Sequence, residues 1–217
     1  MKISLAGTEV HLTGDGLAFV PSLELLCATD LHFEKGSFFA PFATLLPPYD
    51  SDDTLTRLER AVRLYKPRRF LALGDSFHDL GAPDRLRADH VQRLNELISS
   101  VETWWWILGN HDPAIGAHIG GVRCNDLQLE TIAFRHIRSA EPLGPELSGH
   151  FHPKATINLH GHSIRAPCFV QYGLQLILPS FGKFTGGLDV DSEAFIKAIP
   201  RAGRRLFMIH SHEVFAV

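Results

Sequence analysis

Short apolar runs that end abruptly in polar side chains recur along this sequence. The runs at residues 25–29, 70–73 and 104–108 end in the polar segments DLH (30–32), GD (74–75) and GNHD (109–112). Each run is apolar enough to form a buried strand. Because α/β proteins build their sites at the carboxyl ends of parallel strands, this pattern predicts a parallel sheet with a functional site along one edge.

The segments that separate these runs include two with the spacing of amphipathic helices. Asp50 or Ser51 can cap a helix that continues to Tyr65, and a second helix is predicted at residues 84–98. The order of strand, helix, strand, helix and strand is typical of a parallel sheet with right-handed crossovers. Residues 34–48 carry Gly, Phe and Pro, so we expect a loop with at most a short helix there.

The second half of the chain is richer in β-structure. Short strands are predicted at residues 126–134, 155–160, 163–165, 169–178 and 206–217, with one helix near 192–198. No internal repeat or linker divides the sequence. We therefore expect one domain over residues 1–217, with an α/β fold in which two mixed sheets pack face to face and helices lie outside.

Composition excludes several classes of protein. The formal net charge of -3 gives no global basic field for nucleic acid, and the 3 Cys are isolated and odd in number, which fits a reducing compartment. The N-terminus lacks a signal-peptide core, and no apolar run is long enough to span a bilayer. We expect a soluble, cytoplasmic protein. The 13 His also indicate that any metal is bound by nitrogen and oxygen rather than by thiolate.

The polar segments supply the ligand types of a divalent metal site. Side chains two residues apart after a strand share a face, as at residues 30–32 and 150–152. The candidate ligands are Asp30, His32, Asp75, Asn110, His136, His150 and His152. Carboxylate, amide and imidazole groups suit Mn²⁺, Fe or Zn²⁺ in five- or six-fold coordination. The set is large enough for two ions that share Asp75, the usual arrangement for hydrolysing a phosphate ester.

Taken together, these motifs resemble the calcineurin-like metallophosphoesterase superfamily. The resemblance implies a double β-sheet sandwich flanked by helices, with a dinuclear site on the loops that follow the strands. Carried over by motif, it implies that Asp30, His32, Asp75 and His152 hold the first metal and that Asp75, Asn110, His136 and His150 hold the second. Mn²⁺ is the expected metal, with Fe, Zn²⁺ or Mg²⁺ as alternatives. His118, His160 and His162 rival His136 by residue type, and the position of His136 between the GNHD and GHFH segments favours it.

The resemblance assigns the acid–base role to His111. This side chain would donate to a non-bridging phosphate oxygen or to the leaving group, while Asp75 serves both metals. Many members of the superfamily orient this histidine with an acidic residue three positions after the aspartate of the GD segment, where this chain has His78 followed by Asp79. Three alternatives stay open: Asp79 orients His111, His78 faces the substrate, or Asp112 orients His111.

Longer stretches resemble one bacterial subgroup, the ligase-associated DNA damage response endonucleases of the PdeM type. They are DLHFEKGS (30–37), LPPYD (46–50), GDSFHD (74–79) and SGHFHP (148–153). This resemblance implies a metal-dependent phosphodiesterase or endonuclease acting on DNA that is single-stranded or damaged. It also implies functional partners, namely a DNA ligase, an exonuclease and a helicase of a repair set.

Substrate contacts are less defined by the sequence than metal ligands. The candidates are Lys35, which could meet a phosphate, and His78, Asp79 and Asp112. Three Phe in the loop after the first motif, at positions 38, 39 and 42, either pack beneath that loop or stack on bases.

Two other functions remain as alternatives. A small-molecule or lipid-linked phosphoesterase or pyrophosphatase of the same superfamily usually carries a helical apolar insertion, and none is evident between His111 and Gly149. A non-catalytic scaffold on this fold would lack metal ligands, whereas here the full set is present.

Overall fold

The computed structural model describes residues 1–42, 49–159 and 161–217. Residues 46–48 of the LPPYD stretch and His160, which rivals His136 by residue type, lie outside the described residues, as does the side chain of Phe42. No helix in the described ranges is both long and apolar enough to cross a membrane.

The first sheet contains, within the described residues, seven strands that lie side by side in chain order. They are β1 (Lys2–Leu5), β2 (Thr8–Leu12), β3 (Ala18–Val20), β4 (Leu25–Ala28), β5 (Arg69–Leu73), β6 (Thr103–Ile107) and β7 (Val122–Cys124). Strands β1 to β4 pair antiparallel, and β4 to β7 pair parallel. The parallel half brings the carboxyl ends of β4, β5 and β6 to one edge, as the sequence pattern predicts.

The second sheet follows the order β15, β14, β12, β13, β10, β9, β8, with β11 paired to β12. Its strands are β8 (Asp126–Leu129), β9 (Ile132–Arg135), β10 (Glu146–Ser148), β11 (Lys154–Leu159), β12 (His162–Tyr172), β13 (Gln175–Ile177), β14 (Arg204–His210) and β15 (Glu213–Ala216). The prediction of two separate strands at 163–165 and 169–178 is wrong, because β12 continues without a break through Pro167. This proline has no N–H to donate, and it lies opposite Lys154, the first residue of β11, where that ladder ends.

The helices are α1 (Lys35–Phe39), α2 (Asp50–Tyr65), α3 (Ala82–Arg85), α4 (Ala88–Ser99) and α5 (Glu193–Ala198). The extent of α2 matches the prediction, but its capping does not. Tyr49 is the N-cap residue and makes no side-chain cap. The Asp50 carboxylate instead accepts a hydrogen bond from Gly36 N at 2.8 Å, and the Ser51 hydroxyl accepts one from Glu34 N at 2.9 Å. The start of α2 therefore holds the start of α1.

The helix predicted at 84–98 is divided into α3 and α4. Leu86 and Arg87 adopt extended ψ angles of 134° and 145°, which interrupts the helical hydrogen bonds between them. Leu86 is buried in the core beneath this break. Helix α3 begins two residues earlier than predicted. Pro83 lies in its first turn, which is a position that proline prefers.

Three apolar layers hold the two sheets and the helices together. Between the sheets, Leu25 and Leu71 meet Phe134 and Phe169. On the outer face of the first sheet, helices α2 and α4 pack over the Trp104 ring, which stacks on Phe70 at 3.8 Å between centroids. Beyond the second sheet, α5 buries its own apolar face against β12 and β14. The predicted order of helices, sheet, sheet and helix is confirmed.

Candidate metal centre

The polar segments after β4 and β5 continue to run side by side beyond the ends of the strands. Asp30 N donates to Gly74 O at 3.1 Å, and His32 N donates to Asp75 O at 3.0 Å. A further bridge joins Phe33 to Phe77. These backbone contacts fix the distance between the first two motifs without using their side chains, which remain available to bind a ligand.

Five of the predicted ligands have a left-handed backbone conformation. The φ angles are 53° at Asp30, 45° at His32, 47° at Asp75, 72° at His150 and 45° at His152. A non-glycine residue in this region costs about 1–3 kcal/mol, and the conformation persists only where the surrounding structure imposes it. Strain of this kind concentrates at functional sites, so its repetition here indicates that the loops are shaped for a site rather than for stability.

Two glycines allow the loops to approach each other closely. A Cβ at Gly109 would lie 2.1 Å from Asp75 Oδ1, and a Cβ at Gly149 would lie 1.8 Å from Thr29 Oγ1 and 2.7 Å from Asp30 Oδ2. Any side chain at either position would therefore displace a carboxylate. The glycines of the GNHD and GHFH segments are thus required by packing against Asp30 and Asp75.

The first group of converging side chains comprises Asp30, His32 and His152. Asp30 Oδ1 lies 3.0 Å from His152 Nε2, and His152 Nε2 lies 3.4 Å from His32 Nε2. Burial raises the pKa of Asp30, but His152, His136 and His32 outweigh this effect and hold it well below its usual range. Burial lowers the pKa of His32 to about 3. The group therefore presents an ionised carboxylate and a neutral imidazole.

The second group comprises Asp75, His136 and His150, with Asn110 beside them. His136 Nε2 is the common centre: it lies 3.2 Å from Asp75 Oδ2, 3.2 Å from His150 Nδ1 and 3.1 Å from Asn110 Oδ1. Burial lowers the pKa of His136, but the Asp75 carboxylate and its neighbour Asp30 raise it to about 9. The raised value reflects a position at which a positive charge is strongly favoured.

Both groups fit divalent cations. Among the described residues, the buried atom Asp30 Oδ1 has no hydrogen-bond partner, which is costly for a carboxylate oxygen. His136 Nδ1 contacts the Leu73 carbonyl at 2.9 Å, so Nδ1 carries a proton, and a cation can take the place of the second proton, the one on Nε2 that the raised pKa favours. Opposed lone pairs of nitrogen and oxygen are satisfied by a cation between them, and this donor set suits Mn²⁺, Fe or Zn²⁺.

Asp75 faces both groups electrostatically. Its Oδ1 accepts a hydrogen bond from His111 N at 2.9 Å, and its Oδ2 faces His136. The charge of Asp75 acts to raise the pKa of His32 in the first group, and the charge of Asp30 acts to raise the pKa of Asp75. The two groups are therefore within electrostatic reach of one another. Asp75 is itself buried.

The contacts of His111 distinguish between the three alternatives left open by the sequence. His111 Nδ1 lies 2.8 Å from the backbone carbonyl oxygen of His78. Asp79 forms an ion pair with Arg85 and accepts a hydrogen bond from Gly81 N, so it does not orient His111. The orienting group is a backbone carbonyl, a contact that residue types alone do not reveal. The imidazole of His78 stacks on that of His111, with 5.2 Å between ring centroids.

Asp112 has a structural role in place of the substrate contact expected from the sequence. It is fully buried, and its carboxylate accepts hydrogen bonds from backbone N–H groups of both neighbouring loops. The donors are Gly109, Asp75, Ser76 and Phe77. Burial raises the pKa of Asp112 to about 6, although these N–H groups favour its ionised form. Asp112 thus joins the loop after β6 to the loop after β5.

Thr29 is a contributor that the sequence analysis missed. Its Oγ1 lies 2.7 Å from Asp30 Oδ2 and 3.1 Å from the Leu73 carbonyl. Since His150 N also donates to Asp30 Oδ2, at 3.0 Å, this oxygen is satisfied by the protein and Oδ1 is left to face the histidines. A hydroxyl residue directly before the DLH segment was the available signal.

The remaining candidates lie at or outside the edge of the centre. Within the described residues, Lys35 makes no ion pair, it is half-buried, and burial lowers its pKa. His118 contacts the Pro83 carbonyl at 3.2 Å, and His162 is exposed at the start of β12. Neither of these rivals of His136 joins the two groups.

Comparison with protein families matches residues 23–212 to the calcineurin-like phosphoesterase model. No curated protein matches the chain. Among solved structures, a nuclease, MPE, from Pseudomonas putida is similar with a TM-score of 0.78 and 24% identity, covering 100% of this chain and 99% of that one. A protein of unknown function from Aquifex aeolicus has a TM-score of 0.40 and 12% identity, covering 58% and 77%. A conserved uncharacterized protein from Streptococcus pneumoniae TIGR4, described as a predicted phosphoesterase, has a TM-score of 0.35 and 17% identity, covering 88% and 91%.

Proposed function

The chain belongs to the calcineurin-like phosphoesterase family and is a metal-dependent phosphoesterase, and from that premise we propose that it is a phosphodiesterase or endonuclease of DNA. The proposed substrate is single-stranded or damaged DNA, and the proposed cofactor is a pair of Mn²⁺ ions. The observation that carries the proposal is the pair of converging donor groups with the exposed His111 beside them.

The metal ligands that we propose are those of the two groups. Asp30, His32, Asp75 and His152 would hold one cation, and Asp75, Asn110, His136 and His150 would hold the other. When bound, such cations supply Lewis acidity toward a phosphate oxygen and lower the pKa of water. Around them, Thr29 and the carbonyl of Leu73 hold the ligands Asp30 and His136 in orientation, as outer partners do in metal sites.

We assign the proton-transfer role to His111 because its geometry leaves one nitrogen for the substrate. Its Nδ1 is engaged by the His78 carbonyl, which accepts and does not donate, so Nδ1 carries a proton. A second proton on Nε2 can then be given to the leaving oxygen, or can form a hydrogen bond to a non-bridging oxygen. Because His111 is exposed, a phosphodiester can reach it.

A local basic edge supports a polyanionic substrate despite the net charge of -3. Lys35 begins α1 beside the first donor group. The charge of Asp50 acts to raise the pKa of Lys35, and that of Lys154, which follows the GHFH segment, acts less strongly to lower it. Two lysines that lie near each other favour an anionic ligand. Phosphates that flank the scissile bond are such anions, and we propose that these lysines contact them.

Nucleic acid is our choice of substrate over lipid-linked phosphates for two reasons. The Pseudomonas putida protein that shares this fold over the whole chain is described as a nuclease. Residues 111–149, all of which the structure describes, contain no helix that could cover acyl chains. The DNA-repair setting and the functional partners, a DNA ligase, an exonuclease and a helicase, belong to the proposal as implications of the sequence resemblance.

The test is cleavage of labelled single-stranded, duplex and nicked DNA beside nucleotide and lipid pyrophosphates, with Mn²⁺ or with a chelator. We expect Mn²⁺-dependent cuts within single-stranded DNA and none after chelation. Hydrolysis of the pyrophosphates without any cut in DNA would replace the DNA proposal by the small-molecule or lipid alternative. Binding of metal without hydrolysis of any ester would instead favour the non-catalytic scaffold.

A further inference from the structure

An apolar groove of ≈ 580 Å³ opens beside the donor groups. Phe38, Phe39, Leu80 and Pro113 form its walls, and Asn110 and His111 form the end nearest the centre. Its size falls within the range of about 300–1,000 Å³ that is common for small-ligand sites. Leu80, on one wall of the groove, is 60% exposed.

A continuous row of aromatic rings connects this groove to the centre. The ring of His78 lies 4.8 Å from Phe38 and 5.5 Å from Phe39 on one side, and 5.2 Å from His111 and 5.3 Å from His32 on the other. A planar group that enters the groove therefore meets aromatic surface at a position directly adjacent to the proposed proton donor.

Contacts within the protein hold the groove in shape. Arg85 of α3 donates to Ser37 of α1 at 3.0 Å and pairs with Asp79, so α1 and α3 are tied together at the groove. The other side of α1 is fixed by Asp50, through its hydrogen bond to Gly36 N. A preformed groove loses little conformational entropy when a ligand binds.

We propose that this groove holds one unpaired nucleobase, on the leaving-group side of the scissile phosphate. The inference rests on the function proposed above and names a subsite of the same centre. With the phosphate at the donor groups and His111 directed at the leaving oxygen, the nucleoside attached to that oxygen is the part of the substrate nearest the groove. Aromatic walls bind the faces of any base by stacking, which requires no particular sequence.

The groove also provides a reason for selection of single strands. A base within a duplex presents only its edge, because its faces are covered by stacked neighbours, and it has to leave the stack to enter the groove. An acyl chain, the alternative occupant, fits less well. One wall of the groove is largely exposed at Leu80, so a chain lying along that wall would remain partly in water.

The experiment compares two single-stranded oligomers of equal length and charge, oligodeoxythymidylate and an abasic tetrahydrofuran oligomer. We expect the wild-type protein with Mn²⁺ to cleave the thymine oligomer with a kcat/KM about tenfold or more above that of the abasic one. In Phe39→Leu, which keeps apolar volume without a ring, and in Leu80→Ala, this ratio should fall toward one. Phe39→Tyr should retain the ratio, as should Leu143→Ala, which alters a fully exposed leucine in the loop between β9 and β10.

The outcomes distinguish failure of the base subsite from failure of the nuclease proposal. Equal cleavage of both oligomers by the wild type, or an unchanged ratio in Phe39→Leu and Leu80→Ala, overturns the base subsite and leaves the nuclease proposal standing. If the wild type hydrolyses bis-p-nitrophenyl phosphate but cuts neither oligomer, the nuclease proposal fails and the base subsite fails with it.

Discussion

His111 Nδ1 and the carbonyl oxygen of His78 are 2.8 Å apart, and this contact sets the orientation of the proposed proton donor. A backbone carbonyl is a neutral acceptor that fixes the proton on Nδ1 without adding a negative charge beside the ring. It thereby replaces the acidic side chain expected at this position in many related enzymes. Any substitution at residue 78 keeps this carbonyl, so the orientation of His111 depends on the path of the loop.

Replacement of His111 by Ala should lower kcat about 100- to 10,000-fold and leave metal content unchanged. The reason is that the imidazole of His111 belongs to neither of the two groups proposed to hold the cations, and alanine retains the backbone N–H that donates to Asp75. The measurement is kcat for bis-p-nitrophenyl phosphate together with elemental analysis of the purified variant. Loss of bound metal from His111→Ala would make this histidine a ligand and would remove its assignment as proton donor.

Replacement of Asp75 by Asn or Ala should abolish Mn²⁺-dependent hydrolysis and reduce the bound metal below two ions per chain. Asp75 Oδ2 faces His136 of the second group, and the charge of Asp75 also acts on His32 of the first. Asp79→Asn, at a carboxylate that pairs with Arg85 instead, is the matched control and should keep both ions. If turnover by Asp75→Asn equals that of the wild type, the shared-ligand assignment is wrong.

Addition of Mn²⁺ to chelated protein should raise the midpoint of thermal unfolding. A ligand that binds only the folded state stabilises it by about 2.7 kcal/mol per site at a hundredfold excess over Kd. For a chain of this length that corresponds to a rise of about 5–10 °C for each site. Calorimetry with and without Mn²⁺ checks this, and the shift should be smaller in Asp30→Asn. An unchanged midpoint in the wild type would argue against a metal site formed on folding.

The parts of the fold that the sequence predicts are those determined by local periodicity. The range of α2 follows from the spacing of its apolar residues, and β5 contains the continuous apolar run at residues 70–73 from which a strand was predicted. Strand β10 was missed because three residues between a proline-rich loop and Gly149 carry no periodic signal. The break between α3 and α4 was missed because Leu86 keeps helical spacing while its backbone does not.

In the site, too, the chemistry of the side chains could be predicted from the sequence and the path of the backbone could not. The structure brings the predicted ligands together. They could be predicted because residue type and position after a strand identify them in the sequence. The roles of Asp112 and of the His78 carbonyl depend on how two loops fold against each other, which no residue type determines. Base stacking by Phe38 and Phe39 stays a proposal, and it depends on a groove that the sequence does not reveal.

Replacement of Asp112 by Ala should lower the free energy of unfolding by about 3–5 kcal/mol, because it leaves several buried N–H groups without an acceptor. Those groups belong to Gly109, Asp75, Ser76 and Phe77. Chemical denaturation of the chelated protein measures the loss without a contribution from metal. The matched control is Asp89→Ala, an exposed carboxylate paired with Arg87, which should cost less than about 0.5 kcal/mol. Equal stability of the two variants would contradict the structural role of Asp112.

Replacement of Lys35 by Ala should weaken binding of single-stranded DNA and reduce its dependence on salt. Each phosphate neutralised on a single strand contributes about 0.7 to the slope of log affinity against log salt, so loss of one contact should lower the slope by that amount. Lys35 has no ion pair within the described residues, and the charges of Asp50 and Lys154 act on its pKa in opposite directions. The measurement is KM for a labelled oligomer at several salt concentrations, with a dinuclear centre confirmed by metal analysis. Lys35→Arg keeps the charge and should keep the slope. Lys2→Ala, which removes an exposed lysine of β1 that pairs with Glu9 of β2, should leave the slope unchanged. A slope that is the same in Lys35→Ala and the wild type would show that this lysine does not contact phosphate.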